Sequence, residues 1–163
     1  MIRTIIGKRG KGKTTLTHNL ILTEEANKTF ILDPSNEYDI FKTKDIFIFN
    51  DLRRPSYFCS LVWDYAKKGK KTLVVFDEIH KYGKNCDPIN YLYRRGRHHD
   101  IEIIAISHRF VDMPMITQSQ TERYYVFKVT GRADKRWLRD ELPDEDIYLI
   151  SHLDNFKYVI LEL

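Results

Sequence analysis

The chain has little sulfur chemistry to offer, with two cysteines, Cys59 and Cys86, in 163 residues. They lie far apart and form no Cys-x-x-Cys pair. Two reduced thiols are therefore expected, rather than a disulfide framework. No apolar run approaches the ~18–20 residues of a membrane span, and there is no secretory leader. Repeats, low-complexity tracts and flexible linkers are also missing, so residues 1–163 read as one domain. The first candidate strand opens at Ile2, and no segment is expected ahead of it. Charge excludes less: 27 Lys and Arg against 23 Asp and Glu give a net +4. Such a balance permits a nucleic-acid partner without requiring one. The densest basic run, Lys67, Lys68, Lys70 and Lys71, reads first as a solvated helix end.

What is present is an alternation of strand and helix, the mark of a parallel α/β sheet. Strands are expected at Ile2–Ile6, Thr29–Leu32, Ile46–Phe49 (at an edge), Thr72–Phe76, Ile101–Ile106, Tyr124–Val129 and Tyr158–Leu161. Thr72–Phe76 and Ile101–Ile106 are unbroken apolar runs, as in strands covered on both faces. Helices are expected over Lys13–Ala26, Pro55–Lys68, Pro88–Arg97 and Ala133–Leu142.

Gly7-Lys8-Arg9-Gly10-Lys11-Gly12-Lys13-Thr14 fits G-x-x-x-x-G-K-[ST] between a strand and a helix. Glycines let the backbone curl with its N–H groups toward phosphates, and the helix N-terminus adds partial positive charge. Lys13 is expected at the β and γ phosphates of ATP or another nucleoside triphosphate, Thr14 on Mg²⁺, and Thr15 within the same cradle. Leu73-Val74-Val75-Phe76-Asp77-Glu78 carries an acidic pair to the end of a central strand, where ligands of α/β sheets bind. Asp77 would serve the Mg²⁺ shell. Glu78 would orient and deprotonate the attacking water of a hydrolase.

The strand ending in Ser107-His108 supplies two polar residues to the same edge. His108 is the first candidate for a γ-phosphate sensor and Ser107 the second, with a plain strand cap the equal alternative. Arg94 and Arg97, in Arg94-Arg95-Gly96-Arg97-His98-His99, are spaced about one helical turn apart and expected to face one side. An arginine reaching a neighbouring subunit's γ-phosphate would neutralise its charge. The alternative is a basic helix end that offsets its own dipole. The loop after Glu78 holds Lys81, Tyr82 and Lys84, which could grip nucleic-acid phosphates or be an ordinary surface turn.

Taken together, these residues resemble the FtsK–HerA superfamily of DNA-pumping ATPases. Ile31-Leu32-Asp33-Pro34-Ser35-Asn36-Glu37-Tyr38 is similar to its D-P-x-G-E-Y signature, with Asn36 in the glycine's place. Gly96-Arg97-His98 resembles its G-R-[HK], and Ser107-His108-Arg109 its S-Q-R, with His108 in place of the glutamine sensor. The tail from Tyr125 to Phe156 follows its closing order of strand, helix, helix and strand. The resemblance implies a three-layer P-loop NTPase fold with a mainly parallel sheet, its sensor strand lying between the Walker A and Walker B strands. It also implies a homo-oligomeric ring, hexameric or pentameric, that threads double-stranded DNA, with Arg97 or Arg94 acting in trans. A bare motor of this length resembles the genome-packaging ATPases of membrane-containing viruses. That implies capsid or portal partners and a place in the host cytoplasm or at the virion vertex.

Two other classes fit part of the pattern. A small-molecule phosphotransferase would cast Arg132, Lys135, Arg136 and Arg139 as a lid. A non-catalytic nucleotide-binding assembly protein would need only the phosphate loop. A filamentous-virus export motor is disfavoured by the missing membrane segment, and a GTPase by the missing N-K-x-D.

Overall fold

A computed structural model describes residues 1–41, 43–82 and 86–162. Seven strands form one sheet: β1 (Ile2–Ile6), β2 (Lys28–Leu32), β3 (Ile46–Phe49), β4 (Thr72–Phe76), β5 (Ile101–Ser107), β6 (Arg123–Phe127) and β7 (Tyr158–Glu162). Their order is β3-β2-β4-β5-β1-β6-β7. All neighbours run parallel except β7, which is antiparallel to β6. The helices are α1 (Lys13–Thr23), α2 (Pro55–Ala66), α3 (Asp87–Arg95), α4 (Met115–Gln120), α5 (Arg132–Arg139) and α6 (Asp144–His152).

The apolar runs explain the layers. Successive strand residues point to opposite faces, so a continuous run feeds two cores. Val74 and Phe76 join Phe58, Val62, Leu92 and Leu138 on the face covered by α2, α3 and α5. Leu73 and Val75 join Leu16 and Ile21 of α1 on the other. β5 divides in the same way, with Ile103 and Ala105 on one side and Ile104 and Ile106 on the other. This is the expected three-layer α/β sheet, and β5 does lie between β1 and β4. The expected edge position of Ile46–Phe49 also holds.

Several boundaries differ from expectation for local reasons. Helix α1 stops at Thr23, not Ala26; the Thr23 hydroxyl donates to the Asn19 and Leu20 carbonyls, and Glu24 turns extended to pair with Arg3. Helix α3 stops at Arg95, and Gly96–His99 tightens into a 3-10 turn. Arg94 therefore lies in the last turn of the α-helix and Arg97 in the 3-10 turn that follows it. Gly96 itself packs against Ile101, where an added Cβ would come within 3.2 Å of the isoleucine's Cβ. Helices α4 and α6 have no counterpart in the hydrophobic periodicity; both begin directly after a proline, Pro114 and Pro143, whose extended ψ marks the entry to the helix. Among the described residues no helix is long and apolar enough to cross a membrane. Cys59 and Cys86 are both free thiols.

Candidate functional site

The parallel strands deliver their C-terminal ends to one edge of the sheet. There β1 passes into the glycine loop, β2 into Asp33-Pro34, β4 into Asp77-Glu78 and β5 into Ser107-His108. The loop is tied to β5 by a hydrogen bond from Gly7 N to Ser107 O, 3.3 Å. Two glycines are required by the packing. A Cβ at Gly7 would meet Phe127 Cβ at 2.5 Å, and Gly12, the residue before α1, has φ +103.

A cleft of about 410 Å³ opens over the loop, lined by Arg9, Gly10, Gly12, Lys13, Thr14, Thr15, Glu37, Asp77, Glu78, His108 and Phe156. Sequence-predicted residues from three separate segments thus meet at one place. Lys13 Nζ donates to the Lys8 carbonyl at 3.1 Å and lies 3.1 Å from His108 Nδ1. Burial lowers the Lys13 ammonium's pKa, even though Asp77, Glu37 and Glu78 around it favour its charge. The ammonium can only donate, so Nδ1 of His108 accepts and the ring proton sits on Nε2. That nitrogen lies 3.2 Å from Glu78 Oε1 and donates to it. His108 is thereby held in one tautomer between a cation and a carboxylate.

Glu78 is positioned by unusual backbone. Its φ is +49, a left-handed conformation rare for a long side chain. Burial pushes its pKa up, but hydrogen bonds from Lys81 and His108 outweigh this and hold the carboxyl below its ordinary value. Asp77 shows the opposite balance. Burial, then the neighbouring charges of Glu37, Glu78 and Asp33, raise it to about 7. Four carboxylates crowded at one strand edge make a cation-seeking corner. Thr14 stands beside it, its hydroxyl donating to Glu37 Oε2 at 2.5 Å. This hydroxyl and the Asp77 carboxylate are the hard oxygen donors that Mg²⁺ takes, in a site that phosphates and water would complete. Among the described residues no group of three or more His, Cys, Asp or Glu converges into a self-sufficient metal site.

The D-P-S-N-E-Y segment is held by Asp33, whose carboxylate accepts from Ser35 N at 3.1 Å and Tyr38 N at 3.0 Å. Asn36 has φ +56, the left-handed turn at the position where the family signature carries glycine. The turn aims Glu37 into the cleft. No local pattern assigns Glu37 to the cleft, and its place as the acidic residue of that signature is the one signal in the sequence that points to it. Phe156 enters the cleft from the turn before β7, with no motif in the sequence to mark it.

Other candidates fall elsewhere. Lys11 reaches Asn155 Oδ1 at 2.6 Å instead of the cleft. Lys8 borders a neighbouring groove with Arg109 and Lys128, and Arg9 and His108 line both that groove and the cleft. Arg94 and Arg97 are exposed. Arg97 lines a separate groove with Ile2, Ile101 and Ile103, at the opposite, N-terminal end of β1 and β5. Neither arginine belongs to the chain's own cleft. The Tyr82 ring turns inward toward Phe76, centroids 6.3 Å apart, and its hydroxyl donates to the Asp77 carbonyl. Tyr82 is therefore a support for the Asp77 turn and not the outward contact expected of it. Lys81 is ion-paired to Glu78. Lys84 lies outside the described residues. The imagined lid of Arg132, Lys135, Arg136 and Arg139 belongs to α5, none of it lines the cleft, and Arg139 pairs with Asp144 at 3.2 Å.

A family model described as an AAA domain matches residues 1–132. No curated protein sequence matches the chain. Among solved structures, B204, the DNA-packaging ATPase from Sulfolobus Turreted Icosahedral Virus, superposes with a TM-score of 0.82 at 19% identity, covering 99% of this chain and 91% of that one. The genome packaging NTPase B204 from Sulfolobus turreted icosahedral virus 2, in complex with ATPγS, gives 0.80 at 18% identity with coverage of 99% and 91%. EssC (ATPases 2 and 3) from Geobacillus thermodenitrificans gives 0.73 at 15% identity, over 98% of this chain and 37% of that one. Because that family model spans most of the chain, this protein belongs to the AAA-domain family, with the fold of a P-loop NTPase in which β5 lies between the strand leading into the glycine loop and the strand ending in Asp77-Glu78.

Proposed function

We propose that this protein is an ATP-driven motor that moves double-stranded DNA, and that its task is packaging a viral genome into a capsid. The observation that carries the reading is the chain of contacts Lys13–His108–Glu78 over the glycine loop. A phosphate-binding lysine, a polar relay and a carboxylate in one line suit hydrolysis of a terminal phosphate better than storage of a nucleotide. Lys13 and the loop amides would hold the triphosphate. Glu78 would take the proton from the attacking water, and His108 would report the γ-phosphate to it. Thr14 and Asp77 would hold Mg²⁺, which supplies positive charge against the phosphates. Gly7, Lys8, Arg9, Gly10, Lys11, Gly12 and Thr15 complete the loop, with the backbone N–H groups serving as the phosphate donors.

Packaging is supported by the likeness to B204, a DNA-packaging ATPase, over 99% of this chain and 91% of that one. Capsid or portal partners, action in the host cytoplasm and docking at the virion vertex follow from that reading. The surface positions of Arg94 and Arg97 support a ring in which one of them completes a neighbour's site. Lys81 is the DNA contact that bears on chemistry, because its other partner is Glu78. A DNA phosphate that draws Lys81 away would restore Glu78's basicity, linking DNA to hydrolysis.

The test is DNA-stimulated ATPase activity of wild type, Glu78→Gln and Arg97→Ala, alone and mixed. Each variant is expected to be inactive alone and the mixture partly active, because some junctions then pair an intact Glu78 with an intact Arg97. A mixture that stays silent at saturating concentration rules out Arg97 as the trans residue. A wild type with no ATPase activity, with or without DNA, removes the motor reading.

A further inference from the structure

The turn between α6 and β7 places an aromatic ring where folding alone has no use for it. Phe156 is 68% exposed, yet it forms part of the wall of the phosphate-loop cleft. It stands against Gly12: a Cβ built on that glycine would come within 2.9 Å of Phe156 Cδ1. Its backbone is left-handed, φ +65, a conformation that is strained for a bulky residue and that Asn or Gly would adopt more easily. Neighbouring contacts hold the turn in place. Asn155 Oδ1 accepts from Lys11 Nζ of the loop at 2.6 Å, and Asp154 pairs with Lys157 at 2.9 Å. The ring is thus strained, solvent-facing and clamped to the phosphate loop, none of which serves a hydrophobic core.

We propose that Phe156 is the platform on which the base of the bound nucleotide stacks. The inference rests on the nucleotide reading of the cleft and adds to it the residue that holds the base. With the phosphates cradled by the loop amides of Gly10–Thr15, a base lying beside Gly12 would cover the exposed ring. Burying a flat apolar face against a base is favourable and reads no hydrogen-bonding edge, so the platform accepts adenine and guanine alike. The α6–β7 turn then senses whether a nucleotide, rather than free phosphate, fills the loop.

Binding of ATP, GTP and inorganic tripolyphosphate to the full chain, measured by calorimetry with wild type, Phe156→Ala, Phe156→Trp and Lys13→Ala, tests this. Phe156→Ala should weaken ATP and GTP together by about tenfold or more, as loss of a base-stacking ring does, and leave tripolyphosphate unchanged. Phe156→Trp should restore the nucleotide affinities. Lys13→Ala should weaken all three. Unchanged ATP binding in Phe156→Ala overturns the platform while leaving the nucleotide site intact. Equal losses of ATP and tripolyphosphate in that variant also overturn it, marking the turn as a brace for the loop. A wild type that binds neither ATP nor tripolyphosphate overturns the nucleotide reading, and the platform with it.

Discussion

His108 donates from Nε2 to Glu78 Oε1 at 3.2 Å, and this is possible because its other ring nitrogen accepts from Lys13. A neutral imidazole so held offers one acceptor and one donor, as a glutamine amide does. His108→Gln should therefore keep much of the DNA-stimulated turnover. His108→Ala should lower kcat by roughly 10²-fold, the scale of one deleted transition-state donor. Steady-state kinetics on both variants decide the point, and an alanine variant as fast as wild type removes His108 from the chemistry.

Lys81 restrains the carboxylate that it touches. Its hydrogen bond is one of those that hold Glu78 below its ordinary pKa, which weakens Glu78 as a base. Lys81→Met should raise ATP turnover without DNA several-fold and reduce the further stimulation by DNA. The ratio of rates with and without DNA is the measurement. An unaltered ratio would mean that Lys81 takes no part in coupling.

Asp77 makes the nucleotide-free, metal-free protein sensitive to pH. Its carboxyl is raised from 3.8 to about 7, chiefly by burial, so the native state holds a proton that the unfolded chain has lost. The stability this proton contributes is complete below about pH 4 and is lost as pH rises through 7. The full change is on the order of 4 kcal/mol. Urea unfolding in chelator at pH 5 and pH 8 should show the loss in wild type and a smaller one in Asp77→Asn. Equal pH dependence in the two proteins would contradict the raised carboxyl.

The thiols should react one at a time. Cys59 is 1% exposed, and burial with Cys86 nearby pushes its pKa up to about 12. Cys86 is only half-buried. Brief iodoacetamide treatment of the native protein should add one group, on Cys86, and treatment after unfolding should add two. Intact mass and peptide mapping read the result, and a second adduct on the native protein would show that α2 opens.

Much of this was legible along the chain. The glycine loop, the run ending in Asp77-Glu78 and the run ending in Ser107-His108 each carry their own periodicity and their own polar end. Parallel strands put all such ends on one edge of a sheet, so the three could be assigned to one site without contacts. Asn36 was legible for a local reason as well, since its φ of +56 is a property of one turn. The misjudged residues depended on company. Tyr82 looked like a surface ring and instead packs toward Phe76. The pairing of Lys81 with Glu78 was equally out of reach of the local pattern.

By itself, the order of residues determined the layered α/β architecture, the phosphate loop and the acidic pair, because each arises from short-range pattern: period-two burial, glycine torsions and strand ends. Only the tertiary structure decided who faces whom at that edge. The tautomer of His108, the raised Asp77, the entry of Glu37 and the approach of Phe156 to Gly12 all join segments distant in the chain. Such contacts depend on strand order and on burial, and neither is a property of any single stretch of sequence.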